Sequence, residues 1–347
     1  MTLATAPVAS RSLAAVRKTP DNAPFFIFGC PRSGTSLLSK MLGAHPRLAI
    51  PDESHLYSQV YPVVQRHGDL SSASTRALLV GEILQTEHIR RWTPALSISE
   101  VLEATTRHDF HGVVDGLLRA WASKQGKSRW GEKTPQHTLS WRSILAEFPG
   151  VRAIHLVRDG RDVMLSYRSA FFGPKHVYPL ALRWQQYLEA AEAARRFLGP
   201  QLFLQVRYED LVANPEKELG RICNFLGEDS TPAMLAYHEH CTTTSLCDRR
   251  NAQNLRRPVL SDNTGKWRTR MTDRERRIFE SVAGSSLERY GYERSLAEPR
   301  ISTLEALSCR FLEHPPRRIA AMLKNRQARR LALQKLRLHL SLFLNVR

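Results

Sequence analysis

One decapeptide concentrates the residues best suited to hold an anion: Phe28-Gly-Cys-Pro-Arg-Ser-Gly-Thr-Ser-Leu37. A short apolar strand delivers a Gly/Pro-shaped turn, and a helix starts inside that turn. Backbone N–H groups from Arg32 to Ser36 would then converge on one point at the helix N-terminus, where a phosphate or sulfate is favoured. Gly34 lets the backbone approach an oxygen closely. Ser33, Thr35 and Ser36 add hydroxyl donors, and Arg32 adds charge. Gly29 and Gly34 keep the G-x-x-x-x-G spacing of a nucleotide loop, but Thr35 stands where such a loop carries Lys. Without that Lys, a triphosphate and its magnesium lose their main anchor. A P-loop kinase or nucleotide hydrolase is the alternative reading, and the missing Lys counts against it.

A second motif, Arg158-Asp-Gly-Arg-Asp-Val-Met-Leu-Ser166, follows another strand-like segment, Val151-Arg-Ala-Ile-His-Leu-Val157. Arg158 falls at the carboxyl end of a strand, where open α/β sheets bind ligands. Ser166 lies two helical turns further on. Alone the motif is weak, because Arg–Asp pairs are common at helix starts. After a first phosphate loop it suggests a ligand with two separate phosphates.

Together these motifs resemble those of the PAPS-dependent sulfotransferases. Cys-Pro-Arg-Ser-Gly-Thr-Ser-Leu is similar to their 5′-phosphosulfate loop, and Arg158 to Ser166 to their 3′-phosphate motif. The Arg form of the loop is closest to tyrosylprotein sulfotransferases and related bacterial enzymes. The resemblance runs from about Pro24 to Glu293 and continues through Met41-Leu-Gly-Ala-His-Pro46 to Asp52-Glu53-Ser54. It implies a P-loop-like three-layer α/β fold with PAPS as donor, PAP as product and no metal. It also implies a hydroxyl acceptor, which could be a peptide tyrosine, another phenol, a glycan or a lipid.

By the same resemblance Glu53 matches the general base. Lys133, in Gly131-Glu-Lys-Thr-Pro135, matches a transition-state Lys. Tyr208 matches a Tyr near the nucleotide, and Lys266, in Gly-Lys-Trp267, a Lys that reaches the 5′-phosphosulfate. Asn251 takes the position of a family Ser; that departure leaves Asn251 and Asn254 as contacts of the weakest kind. Sulfuryl transfer is an in-line displacement, so catalysis is mainly positioning and charge neutralisation, by analogy with phosphoryl transfer. Arg32 and Lys133 are the cations expected at the transferring group, with Lys266 on the departing phosphate. The acceptor hydroxyl needs a base. Glu53 is the first candidate, His55 its rival and His137 a more distant third. Glu132 is expected to form a structural salt bridge with its neighbour Lys133. Trp130, Trp141, Trp184 and Trp267 are expected to pack rather than carry an adenine.

Elements must bring these residues together. Phe25–Phe28, Val151–Val157 and Phe203–Val206 read as buried strands. Leu37, Leu38, Met41 and Leu42 share one face of a helix that opens at Gly34. Further helices are expected over Ser72–Thr86, Ser99–Lys124, Asp159–Phe171 and Val177–Phe197. Another should start at Pro215, with Asn214 as its cap. Alternation of strands and helices predicts a parallel sheet covered on both faces. The expected organisation is a disordered tail over 1–23, a catalytic domain over 24–298 and a basic helical extension over 299–347.

The 347 residues carry 51 Lys+Arg against 33 Asp+Glu, a net +18. Arg249–Arg277 holds ten basic and three acidic residues, and Ile301–Arg347 ten and two, so these two zones hold fifteen of the eighteen charges. Localised charge of this kind suggests anionic ligands at particular places and not a nucleic-acid coat. The last zone mixes Arg/Lys with Leu, Ile and Phe. It could lie on an anionic membrane, but Leu338–Leu344 alternates, which favours packing on the domain or on a second copy. No apolar run reaches the roughly 20 residues of a membrane span. Five scattered cysteines without a C-x-x-C point to a reducing, cytoplasmic setting, with peripheral membrane contact as a variant.

Overall fold

Phe25–Phe28 (β1) alternates its side chains between two cores, which is why all four residues are buried. Phe26 and Phe28 face one layer with Trp130 and Leu117, and Phe25 and Ile27 face the other with Leu38, Ile154 and Leu219. The computed structural model describes residues 22–170, 172–239, 250–324 and 329. The tail expected over 1–23 lies outside them up to residue 21, and Leu338–Leu344 lies outside them as well.

The elements run β1, α1 (Thr35–Gly43), β2 (Leu48–Ala49), α2 (Ala73–Gln85), α3 (Ile98–Ala104), α4 (Phe110–Lys124), β3 (Arg129–Glu132), α5 (Trp141–Leu145) and β4 (Arg152–Val157). They continue with α6 (Gly160–Ser169), α7 (Val177–Leu198), β5 (Phe203–Arg207), α8 (Tyr208–Ala213), α9 (Pro215–Leu226), α10 (Trp267–Arg270), α11 (Asp273–Arg289), α12 (Thr303–Leu307) and α13 (His314–Lys324). The five strands pair in the order β2-β3-β1-β4-β5, all parallel. Phe25 lies opposite Gly131 on one side and Arg152 on the other. The carboxyl ends of β1, β3, β4 and β5 therefore open on one edge. They deliver the loop 29–34, Lys133, Arg158 and Tyr208 to the same place.

One expectation is corrected, one is met only in part, and two strands are added. The helix expected over Ser99–Lys124 is two helices. The chain reverses at 105–109, where Asp109 caps α4 by accepting the Gly112 N–H at 2.7 Å. A Cβ on Gly112 would sit 2.0 Å from the Arg107 carbonyl oxygen, so this glycine permits the tight reversal. Asn214 occupies the N-cap position of α9, but its side chain makes no capping hydrogen bond; Pro215 starts that helix. Strands β2 and β3 were not expected, since Arg-Trp-Gly-Glu lacks the β-branched run that marks a strand.

Candidate active site

The loop after β1 is held open by two residues in the left-handed region, Arg32 (φ 78°) and Gly34 (φ 93°). Ser33 N–H donates to the Cys30 carbonyl at 3.0 Å and closes the turn. At Gly34 a Cβ would lie 2.4 Å from the Tyr208 ring, so glycine is needed for both its φ and its neighbour. Arg32 is not glycine, and its backbone costs about 1 kcal/mol or more in that region. Its side chain then points across the sheet edge, where Nε donates to Ser166 Oγ at 3.0 Å.

Arg158 leaves β4 and joins this group. Its Nη1 donates to the Arg32 carbonyl (3.3 Å), its Nη2 to the Asn263 carbonyl (2.7 Å), and its guanidinium lies 4.3 Å from the Tyr208 ring centroid. Asn263 Nδ2 donates to the Tyr208 hydroxyl and its Oδ1 accepts from Lys266 Nζ, both at 2.9 Å. The turn that carries Lys266 is fixed from below, because Trp267 N–H donates to Asp162 Oδ1 at 2.9 Å. Burial, first, and the charge of Arg158 pull the Arg32 pKa down, an effect outweighing the opposite pull of Tyr167 and Glu53.

At the end of β3, Lys133 is almost fully buried and donates to Glu53 Oε1 at 2.6 Å and to Ser36 Oγ at 3.2 Å. One ammonium thus bridges the candidate base and the loop after β1. Glu53 keeps 27% of its side chain accessible, through the cavity. Burial alone would raise its pKa; Lys133, and then His55 with Nε2 3.4 Å away, outweigh that and hold the carboxyl well below the ordinary carboxylate range. His55 is itself in a left-handed conformation (φ 56°). Its Nδ1 lies 3.2 Å from Ser58 Oγ, and its ring is 4.0 Å from that of His88.

Glu132 does not pair with Lys133 as expected. It points to the opposite side of the strand, buried, and accepts from Ser54 Oγ (2.8 Å), Thr134 Oγ1 (2.6 Å), Thr134 N–H (3.1 Å) and His137 Nδ1 (2.8 Å). Thr134 Oγ1 in turn accepts the Ser54 N–H at 3.0 Å. The carboxylate therefore clamps the Glu53 loop to the Lys133 loop from behind. His137 Nε2 accepts the Tyr57 N–H at 3.1 Å, so it carries no proton, and Nδ1 is the donor to Glu132. With both nitrogens engaged, His137 has no lone pair left for an acceptor hydroxyl.

These groups surround a cavity of about 430 Å³. Of the expected site residues, Arg32, Gly34, Thr35, Ser36, Glu53, Arg158, Ser166, Tyr208, Asn254 and Lys266 line it. Lys133 and His55 stand behind Glu53, and Ser33 is buried beneath the loop. The side chain of Asn251 lies outside the described residues. Asn263, Gln136 and Asp162 also line the cavity and were missed. Asn263 had a signal: Asp-Asn-Thr-Gly265 is a turn sequence directly before Lys266. Gln136 had only its place after Lys-Thr-Pro135.

The site suits a ligand with strong acceptor oxygens. Arg158, whose side chain lines the cavity, has its Nε buried without a protein partner, and a bound acceptor oxygen would satisfy it. The first N–H groups of α1 have no acceptor within their own helix. Arg32, Arg158, Lys266 and Arg270 face the cavity against Glu53 and Asp162. Arg158 is buried among these cations while Arg270 is exposed at the rim, and a cationic surplus of this kind favours a bound anion. Among the described residues, the one His/Cys/Asp/Glu grouping that could hold an ion, His176 with Cys309 and Glu313, contributes nothing to this cavity.

A profile of the sulfotransferase family matches residues 24–232. The chain belongs to that family. Among curated sulfotransferase relatives, the Drosophila melanogaster protein-tyrosine sulfotransferase is 25% identical over 252 residues, 70% of this chain and 46% of its own. The nodulation protein NoeE of Sinorhizobium fredii is 25% identical over 299 residues, 79% of this chain and 67% of its own. The Mycobacterium tuberculosis omega-hydroxy-beta-dihydromenaquinone-9 sulfotransferase Stf3 is 26% identical over 182 residues, covering 48% and 42%. The chain thus spans less than half the length of two of these three relatives. The sulfotransferase domain of the curacin biosynthetic pathway shares the fold, with a TM-score of 0.51 at 20% identity over 78% of this chain and 98% of that one. Among the described residues of this sulfotransferase-family chain, no helix is long and apolar enough to cross a membrane.

Proposed function

We propose that this chain transfers a sulfuryl group from PAPS to the hydroxyl of an acceptor. The observation that carries the reading is the Lys133 ammonium, held between Glu53 and the Ser36 hydroxyl of the phosphate loop. Arg158 and Ser166 would hold the 3′-phosphate. The loop N–H groups, Ser33, Thr35, Ser36 and Lys266 would hold the 5′-phosphosulfate, and Tyr208 with Asn263 would form the wall between the two. Asn254 would contribute at the rim.

In the displacement, the acceptor oxygen forms a bond to sulfur as the bond from sulfur to the phosphate oxygen breaks. The electron pair leaves with that phosphate, and the acceptor proton goes to Glu53 Oε. Paired with Lys133, Glu53 is a weak base. Charge building on the leaving phosphate draws the Lys133 ammonium towards the loop, which strips Glu53 of its partner and raises its basicity as transfer proceeds. Arg32 stabilises the same developing charge. His55 orients Glu53 in this scheme and takes no proton from the acceptor.

The relatives carry names that speak of protein tyrosine and of a menaquinone. Their shared chemistry, a hydroxyl acceptor, is the part that comes to this chain. The test is transfer of labelled sulfate from PAPS to a panel of phenol, tyrosyl-peptide, glycan and lipid hydroxyls, with Mg–ATP as the control donor. Arg32→Ala and Arg158→Ala should abolish PAP binding. Glu53→Gln should keep PAP binding and lose transfer. Unchanged PAP binding in both arginine variants would overturn the assignment.

A further inference from the structure

The extension after the domain divides its charges by direction. Ile301–Arg347 has two acids, Glu305 and Glu313, and both point inward to arginines and a histidine of the domain. Arg277 donates to Glu305 at 2.8 and 3.0 Å. Arg274 donates to Glu313 at 2.7 and 3.0 Å, and His176 Nε2 lies 3.3 Å from Glu313. The buried Cys309 completes the anchor. Among the described residues, the exposed side carries no acid beyond these two anchored ones and is mostly apolar and cationic. Leu304, Phe311, Leu312, Ile319 and Leu323 are between 57% and 79% exposed. Arg310, Arg318 and Lys324 are exposed among them, and no residue of α13 is buried. Ile319 and Leu323 share one face of α13, with Leu312 exposed in the π-helical turn Ser308–Glu313 that leads into it.

We propose that this face docks on an anionic phospholipid surface, with the apolar side chains in the headgroup region and the cations on lipid phosphates. Charge selects the occupant. A second copy would bring the same cations against these, and a neutral protein groove would leave them desolvated without partners. The anchor also ties the docked face to the cavity wall. Phe172 and Arg270 line the cavity, and His176 and Arg274, four residues on from each, hold Glu313. An acceptor carried in the bilayer would thus meet the site from the side of the extension.

The test needs no donor and stands apart from the sulfotransfer reading. The full chain is floated with phosphatidylcholine vesicles and with phosphatidylcholine/phosphatidylglycerol vesicles, at low and high salt. Each cation near such a surface strengthens partition about fivefold, so Arg318→Ala/Lys324→Ala should weaken binding to the anionic vesicles about 30-fold. Ile319→Ser/Leu323→Ser should weaken it tenfold or more, on the order of two part-buried aliphatic side chains. Both variants should keep the parent melting temperature. Absent binding, equal binding to neutral and anionic vesicles, or variants that bind like the parent would overturn the proposal. So would a sedimenting dimer that Ile319→Ser/Leu323→Ser converts to monomer, or salt-sensitive binding to duplex DNA in place of vesicles.

Discussion

Replacing Lys133 by Met tests the coupling between the candidate base and the phosphate loop. The side chain is buried, its ammonium is 2.6 Å from Glu53 Oε1, and Met keeps most of its volume. An opposite charge in contact lowers a carboxyl by roughly 1–3 pH units, or about 1.4–4 kcal/mol. With that charge gone, burial is the largest influence left, and the Glu53 pKa should rise past its ordinary 4.5. The sign of the pH dependence then reverses. In the parent the depressed carboxyl adds stability that is fully present above pH 4.5 and is lost as pH falls through the folded pKa. In Lys133→Met the part-buried carboxylate, left with His55 as its close partner, costs stability at neutral pH, and acidification relieves that cost. Denaturant unfolding from pH 3 to 8, with Glu53→Gln as the blank, should show opposite slopes for the two proteins. Carbon NMR of labelled glutamate should show the carboxyl titrating higher in the variant. Transfer should fall by about 10²–10³, the usual effect of losing one transition-state donor. A Glu53 titration unmoved by Lys133→Met would refute the argument, whatever happened to the rate.

Three further changes separate binding, positioning and scaffold. Glu132→Gln leaves Lys133 and Glu53 untouched but weakens the clamp behind them; charged hydrogen bonds are worth about 1.5–3 kcal/mol each. It should lower the melting temperature and the transfer rate while PAP affinity stays within about fivefold of the parent, measured by calorimetry. Gly34→Ala meets the Tyr208 ring at 2.4 Å in a left-handed conformation. PAP binding should be lost, while circular dichroism shows the fold retained at a penalty of about 1–3 kcal/mol. Arg161→Met breaks a buried pair with Glu280 and Asp159 and should cost about 3–5 kcal/mol in denaturant unfolding. Arg161→Met/Glu280→Leu should not recover that loss, because Glu280 also accepts from Ser295 N–H, Ser295 Oγ and Leu296 N–H.

The layers of the fold were legible where burial writes a plain pattern. Phe25–Phe28 and the core of Val151–Val157 read as apolar because β1 and β4 are inner parallel strands covered on both faces, and Phe203–Val206, at the sheet edge, kept just enough apolar positions to be seen. Strand β3 escaped notice for a physical reason. Its Arg129 is buried by donating to the Ala23 and Leu226 carbonyls at 2.6 Å, and its Glu132 by four hydrogen bonds. Both read as surface residues until their partners, distant in sequence, are known. The break at 105–109 carried a signal, the five polar residues Thr-Thr-Arg-His-Asp ending in an N-cap Asp, that the helical spacing on either side masked, and the glycine that permits the reversal looks like an ordinary small residue.

The second phosphate motif shows what spacing can and cannot carry. Arg158-Asp-Gly-Arg161 offers two arginines three positions apart, and from the sequence either could meet an anion. Arg158 leaves β4 before the helix begins, so its side chain stays on the open sheet edge with Nε free of protein partners. Arg161 is already in the first turn of α6, and that turn rotates it into the protein. There it donates to Asp159 at 2.8 and 3.0 Å and to Glu280 at 2.7 Å, with its guanidinium 3.4 Å from the Trp267 ring. One arginine faces the ligand site and the other bolts α6 to α11, next to the turn that carries Lys266. The division follows from where the strand ends, and a pattern of residue types holds no record of that point.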